Sequence, residues 1–89
     1  MLEPFDVHLS RQAVRSLRRV DAPTRLRLGR ALDRLGRDPF DPFLDIRPVR
    51  RQVDIWRLRV GEWRILYSVH LRDRVVVVAL IAPRGAAYR

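Results

Sequence analysis

Trp56-Arg57-Leu58-Arg59-Val60-Gly61-Glu62-Trp63-Arg64-Ile65-Leu66-Tyr67 is the stretch that decides the fold. Gly61-Glu62 reads as a two-residue turn with Gly first, the type II′ hairpin, because Gly takes a positive φ there without steric cost. In that register Val60 faces Trp63, Arg59 faces Arg64, Leu58 faces Ile65, Arg57 faces Leu66 and Trp56 faces Tyr67. Strand side chains alternate with period two. Trp56, Leu58, Val60, Trp63, Ile65 and Tyr67 therefore share one apolar face, and Arg57, Arg59 and Arg64 share the other. Like charges directly opposite one another destabilise a hairpin, so Arg59 beside Arg64 is a cost that an anionic ligand would offset.

Downstream, a second hairpin closes around Arg72-Asp73, and the strand from Arg74 to Ala82 is apolar on both faces, the pattern of a central strand covered on both sides. Pro83 ends it, and Arg84-Gly85-Ala86-Ala87-Tyr88-Arg89 is a basic tail. Upstream, Leu44 to Val53 contains Pro48, which permits only an edge or irregular strand, and its structure stays open. Asp38-Pro39-Phe40-Asp41-Pro42-Phe43 repeats one tripeptide and must be a loop, with its phenylalanines tacking it to the body.

Nearer the N-terminus, Phe5 to Leu9 alternates apolar and polar residues and predicts a short first strand. Ser10 offers an N-cap to a helix whose apolar stripe is Ala13, Val14, Leu17 and Val20. Asp21-Ala22-Pro23-Thr24 breaks that helix and begins a second, with stripe Leu28, Ala31, Leu32 and Leu35 and with Gly36 where a left-handed cap usually lies. The order is β-α-α-β-β-β. This is an α+β fold in which an N-terminal helical hairpin packs on a small, mainly antiparallel sheet, and residues 1–89 form one domain.

All 19 basic residues are Arg, against 10 acidic residues, giving a net charge of +9 and a pI near 11.7. Guanidinium matches phosphate bidentately and stays charged at any cellular pH, so the balance suits a nucleic-acid or acidic partner. No apolar run approaches the ~20 residues that span a membrane, the N-terminus lacks a secretory signature, and there is no Cys. A cytoplasmic location with no membrane association is the expectation. His8 and His70 lack metal-ligand spacing, Ser10, Ser16 and Ser68 lie outside any nucleophile elbow, and the four glycines form no phosphate loop. Neither metal nor cofactor is expected. The Arg face then has three possible uses: passive phosphate binding, stabilisation of the pentavalent phosphate formed when an RNA 2′-OH attacks its neighbour, or docking of an acidic protein.

Together with the element order, the segment Trp56 to Tyr67 and the ending Arg84-Gly85-Ala86-Ala87-Tyr88-Arg89 resemble the RelE/ParE superfamily of bacterial toxins, and its RelE-like branch in particular. The resemblance spans nearly the whole chain. It implies a type II toxin–antitoxin toxin, neutralised by a cognate antitoxin protein and acting as a ribosome-dependent mRNA endonuclease that inhibits translation. Its partners would be the ribosome and mRNA. ParE-like members instead poison DNA gyrase on the same fold, and a non-catalytic nucleic-acid-binding module is a further alternative. The resemblance implies RNA binding by Arg57 and Arg59 and catalysis by Arg64, Arg84 and Tyr88. It departs at Pro83, where several members carry a His before the C-terminal Arg.

Overall fold

The computed structural model describes residues 3–85. The elements are β1 (Asp6–Leu9), α1 (Arg11–Arg19), α2 (Ala22–Arg37), β2 (Asp45–Pro48), β3 (Trp56–Val60), β4 (Trp63–His70) and β5 (Val75–Pro83). They form one five-stranded sheet ordered β1-β5-β4-β3-β2, with β1 parallel to β5 and the other pairs antiparallel. The α+β arrangement read from the sequence is present, with one strand added. Leu44 to Val53, left open above, contributes β2, and its Pro48 sits on the sheet edge, where a missing N–H removes no ladder bond. Among the described residues, no helix is long and apolar enough to cross a membrane.

Both helices lie on one face of the sheet. Ala13, Leu28, Ala31, Leu32 and Leu35 pack against Leu58, Ile65, Tyr67, Val76, Val78 and Ile81 to make the core. The helices cover one face of β5; on the other, Val75, Val77 and Leu80 are half-buried and Ala82 is buried. The β4–β5 register slips between Leu66 and Tyr67: Leu66 faces Leu80 but Tyr67 faces Val78, which leaves Ala79 as the extra residue of a bulge. A bulge changes the parity of the strand that carries it. Val76, Val78 and Ile81 can thus all face the helices, and Ala79 is exposed. The run is apolar on both faces, as read from the sequence, and changes phase midway.

The bulge also explains how α1 is held. Strand β1 stops at the pair Leu9–Val78, and past it the edge of β5 has no strand neighbour. Side chains of α1 complete that edge. The Gln12 amide donates to the Ile81 carbonyl (2.9 Å) and accepts from the Ile81 N–H (2.9 Å), as a neighbouring strand would. Ser16 Oγ donates to the same carbonyl (2.6 Å), and Ser10 Oγ donates to the Ala79 carbonyl (2.7 Å) while capping α1 at Ala13 N (3.1 Å). The C-terminus of α1 is closed from α2: Arg25 Nε donates to Leu17 O (2.7 Å), and its Nη2 donates to Val20 O (2.9 Å). A guanidinium there satisfies orphan carbonyls and complements the negative end of the helix dipole.

Gly36 is not a left-handed cap. Helix α2 continues to Arg37, and Asp38 caps it in extended backbone. The glycine is needed for proximity, since a Cβ there would meet Val7 Cγ2 at 3.2 Å and Phe5 O at 3.3 Å, and Phe5 N donates to the Gly36 carbonyl at 2.6 Å. The repeated tripeptide forms two successive Asx turns, with Asp38 Oδ1 accepting from Phe40 N (2.9 Å) and Asp41 Oδ1 from Phe43 N (2.8 Å). Only one phenylalanine tacks the loop down. Phe40 meets Trp56 edge-on at 5.2 Å, whereas Phe43 is 88% exposed. The stronger tether is the buried Tyr67 hydroxyl, which donates to Pro39 O at 2.7 Å.

Gln12→Ala leaves the N–H and C=O of Ile81 without their amide partner. It is expected to lower the unfolding free energy by about 1–3 kcal/mol in urea titrations, more than Ser16→Ala. Burial, reinforced by the nearby Asp38 carboxylate, pushes the Tyr67 hydroxyl well above the ordinary tyrosine range. The native state therefore keeps a proton that the unfolded chain releases near pH ~10, and stability is full below that point and falls as pH rises above it. Alkaline unfolding followed by circular dichroism is expected to show this loss in the wild type and a flatter limb in Tyr67→Phe.

Candidate nucleic-acid interface

Gly61 has φ +58°, and Glu62 after it has no positive φ, as the type II′ turn requires. The β3–β4 pairs are those of the sequence reading, from Val60–Trp63 through Arg59–Arg64 to Trp56–Tyr67. Above this turn the Arg27 guanidinium of α2 occupies the space that a Cβ on Gly61 would need. The backbone conformation constrains the residue; the Arg27 side chain, exposed and flexible, can move aside.

The helix-free face can be laid out row by row from the registers. Asp45, Arg59, Arg64 and Ala82 lie across β2, β3, β4 and β5 in one row, and Arg47, Arg57, Leu66 and Leu80 in the next. Adjacent strands are ~4.8 Å apart, so the five charged side chains occupy one compact corner beside an apolar strip. Sequence reasoning found the three strand arginines of the hairpin and missed Asp45. The available signal was parity: Asp45 and Arg47 alternate like Arg57 and Arg59, but Pro48 hid the strand that carries them.

Asp45 changes the charge balance. Its Oδ2 lies 2.7 Å from Arg59 Nε and its Oδ1 lies 3.0 Å from Arg57 Nη2, with Arg47 Nε more distant at 3.9 Å. Part of the like-charge cost attributed above to a missing anionic ligand is therefore met within the chain. Arg57 is mostly buried, and its Nε is a buried donor with no partner.

Arg64 is in a different state. It is only 5% exposed, and its Nη1 donates to the carbonyls of Gly61 (3.3 Å) and Trp63 (3.1 Å). Among the described residues no carboxylate pairs with it. A charge removed from water and left unneutralised is costly, even with its N–H groups partly bonded to carbonyls. Arg84 follows β5 and is exposed; its backbone N–H bonds Glu62 O at 2.7 Å, which extends the β4–β5 ladder one step beyond Trp63–Pro83. Arg84 lies in the turn after β5, two residues past Ala82, the cross-strand partner of Arg64. The structure thus brings Arg57, Arg59 and Arg64 to one end of the helix-free face, with Arg84 in the turn at that end. Tyr88 lies outside the described residues.

Among the described residues no group of His, Cys, Asp or Glu has the arrangement of a metal site. What the face offers chemically is positive charge in oriented forks, with Arg59 open to solvent and Arg64 recessed beside it.

A small α+β chain with a helical hairpin on one side of its sheet and clustered arginines on the other is the architecture of the RelE/ParE toxins. Residues 7–88 match the family described as the ParE toxin of type II toxin–antitoxin systems, and the chain belongs to that family. A curated relative, the putative toxin RelE1 of Methanocaldococcus jannaschii, is 22% identical over 86 residues, covering 96% of each chain. Among solved structures, the archaeal RelE–RelB complex of Pyrococcus horikoshii superposes with a TM-score of 0.80 at 26% identity, covering 92% of this chain and 97% of that one. The toxin–antitoxin complex RelBE2 of Mycobacterium tuberculosis gives 0.80 at 22% identity, with 96% and 97% covered. The isolated Escherichia coli RelE toxin shares the fold at a TM-score of 0.72 and 17% identity, with 91% and 85% covered. The chain is a RelE-like toxin of a type II system.

Because Gly61 takes a positive φ and the exposed Arg27 side chain can move aside, Gly61→Ala is expected to lower stability by the ~1–2 kcal/mol that a left-handed L-residue costs. Thermal unfolding of the two proteins at equal concentration measures it.

Proposed function

We propose that this toxin is a ribosome-dependent mRNA endonuclease, held inactive by a cognate antitoxin and acting in the cytoplasm, where translating ribosomes are found. The observation that carries the reading is Arg64: a nearly buried guanidinium with no carboxylate partner among the described residues, beside Arg57 and Arg59 on the same face. The RelE–RelB complexes among its structural neighbours support the antitoxin as partner.

In the proposed reaction the 2′-OH of a nucleotide attacks the adjacent phosphorus. A 2′-O–P bond forms, the P–O5′ bond breaks, the 2′ proton is released, and the 5′ oxygen leaves with a proton. The pentavalent phosphorus between these states carries more negative charge on its equatorial oxygens than the diester does. Arg64 and Arg84 meet that developing charge, and a fixed guanidinium is most effective where it cannot relax away. Arg57 and Arg59 bind the flanking phosphates and hold the strand in register. Guanidinium, with a pKa above ~12, does not accept protons at neutral pH, so these four residues supply charge and position. Tyr88 is the residue proposed for proton transfer, since Pro83 replaces the His that several relatives carry.

The family profile, named for ParE, favours a second reading: a toxin that binds DNA gyrase with the same scaffold and cuts no RNA. Expression without antitoxin separates the two. The nuclease reading expects growth arrest, and 5′-end mapping in a translating extract should find new mRNA ends inside coding regions. Arg84→Ala and the charge-preserving Arg64→Lys should each lower cleavage by about 10²–10³-fold while antitoxin co-purification persists. Intact mRNA with DNA breaks in arrested cells would establish the gyrase reading instead.

A further inference from the structure

We infer that Asp45 is an intramolecular stand-in for a phosphate: it occupies the Arg57–Arg59 pair in the free protein and is displaced when the RNA backbone binds. The inference rests on reading the arginine face as a phosphate site, and it adds a residue that lowers affinity rather than raising it.

The geometry of the contact is that of a phosphodiester. One carboxylate oxygen takes Arg59 Nε at 2.7 Å and the other takes Arg57 Nη2 at 3.0 Å, the distances of charge-assisted N–H···O⁻ bonds and the two-oxygen bridge that two non-bridging phosphate oxygens would make. The pairing is incomplete. Arg57 Nε remains buried without a partner, so the carboxylate does not satisfy the fork it neutralises.

Exchange also has a route. The Asp45 side chain is 35% exposed and the Arg59 side chain 53%, so solvent and a ligand reach the pair from the same side. Asp45 opens β2, a four-residue strand at the sheet edge that, among the described residues, pairs with β3 alone. Movement of this residue disturbs no inner strand. Exposed ion pairs contribute little net stability, whereas leaving two guanidiniums unneutralised side by side is unfavourable. The carboxylate therefore suits a reversible counter-ion: sufficient to keep the arginines together and weak enough to yield to a polyanion.

The test is equilibrium binding of a short 2′-O-methylated single-stranded RNA, which lacks the attacking hydroxyl, followed by fluorescence anisotropy at fixed salt. Asp45→Asn is expected to bind about three- to tenfold more tightly than the wild type while its thermal midpoint without RNA falls. Asp73→Asn, in the exposed β4–β5 turn, raises net charge equally and is expected to change binding by less than about twofold. In the wild type, the Asp45 carboxyl carbon resonance should move on saturation with RNA, a reading that needs no variant. Unchanged or weaker binding by a folded Asp45→Asn, or an Asp45 resonance that stays in place, overturns the inference. Arg57→Ala and Arg59→Ala report separately on the face: if both bind RNA as the wild type does, the phosphate-site reading itself fails. If both bind weakly and Asp45→Asn gains nothing, only the displacement fails.

Discussion

Everything in this molecule depends on the single register in which β3 meets β4. The turn at Gly61 determines it, and a slip of one residue would carry Arg57, Arg59 and Arg64 to the helices and put Leu58, Ile65 and Tyr67 in water. Such a slip is excluded from both sides. The helix face needs the aliphatic and aromatic set to fill a core shared with Leu28, Ala31, Leu32 and Leu35, and three guanidiniums could not be buried there without partners. The remaining elements then follow. Strand β5 pairs along β4, β1 adds in parallel to β5, and α1 completes through Gln12 and Ser16 the edge that β1 leaves uncovered.

The register that builds the core also concentrates charge. Cross-strand pairing makes Arg59 and Arg64 neighbours, and the sheet disposes of the two charges differently. Arg59 remains open and is neutralised by Asp45 from the next strand. Arg64 folds down onto the carbonyls of its own hairpin turn and has no carboxylate partner among the described residues. One corner of the sheet therefore carries a carboxylate shared by Arg57 and Arg59 beside a buried cation that has no carboxylate partner among the described residues. That asymmetry underlies both the proposed stabilisation of phosphate charge and the proposed exchange at Asp45. It also separates this face from the rest of a basic surface, where exposed arginines are solvated and contribute little locally.

Much of the fold was legible because its signals are local. The II′ turn needs only Gly in the right place, helix stripes show in period 3.6, and Ser10 and Pro23 mark helix starts by the chemistry of unpaired N–H groups. The features that were misread depend on contacts between distant residues. Gly36 looked like a cap because glycine often serves there, yet it is present for the close passage of Phe5 and Val7. Phe43 looked like an anchor by its hydrophobicity, but two Asx turns and the Tyr67 hydroxyl hold the loop without it. The β5 run is apolar on both faces as read, but the bulge that shifts its phase at Ala79 has no dependable sequence mark.

The sequence by itself determined the α+β class, the hairpin register and the separation of core from arginine face, since these follow from spacing within segments and from their order, and its motifs carry the resemblance to the RelE/ParE toxins. Only the tertiary structure decided which arginines are neutralised and which are not. That outcome turns on β2 reaching the sheet edge beside β3, which brings Asp45 within 2.7 Å of Arg59 across 14 residues of chain and leaves Arg64 one strand too far away. Charge pairing acts through space between side chains that register makes neighbours, and a linear sequence does not display those neighbours until its strands are ordered.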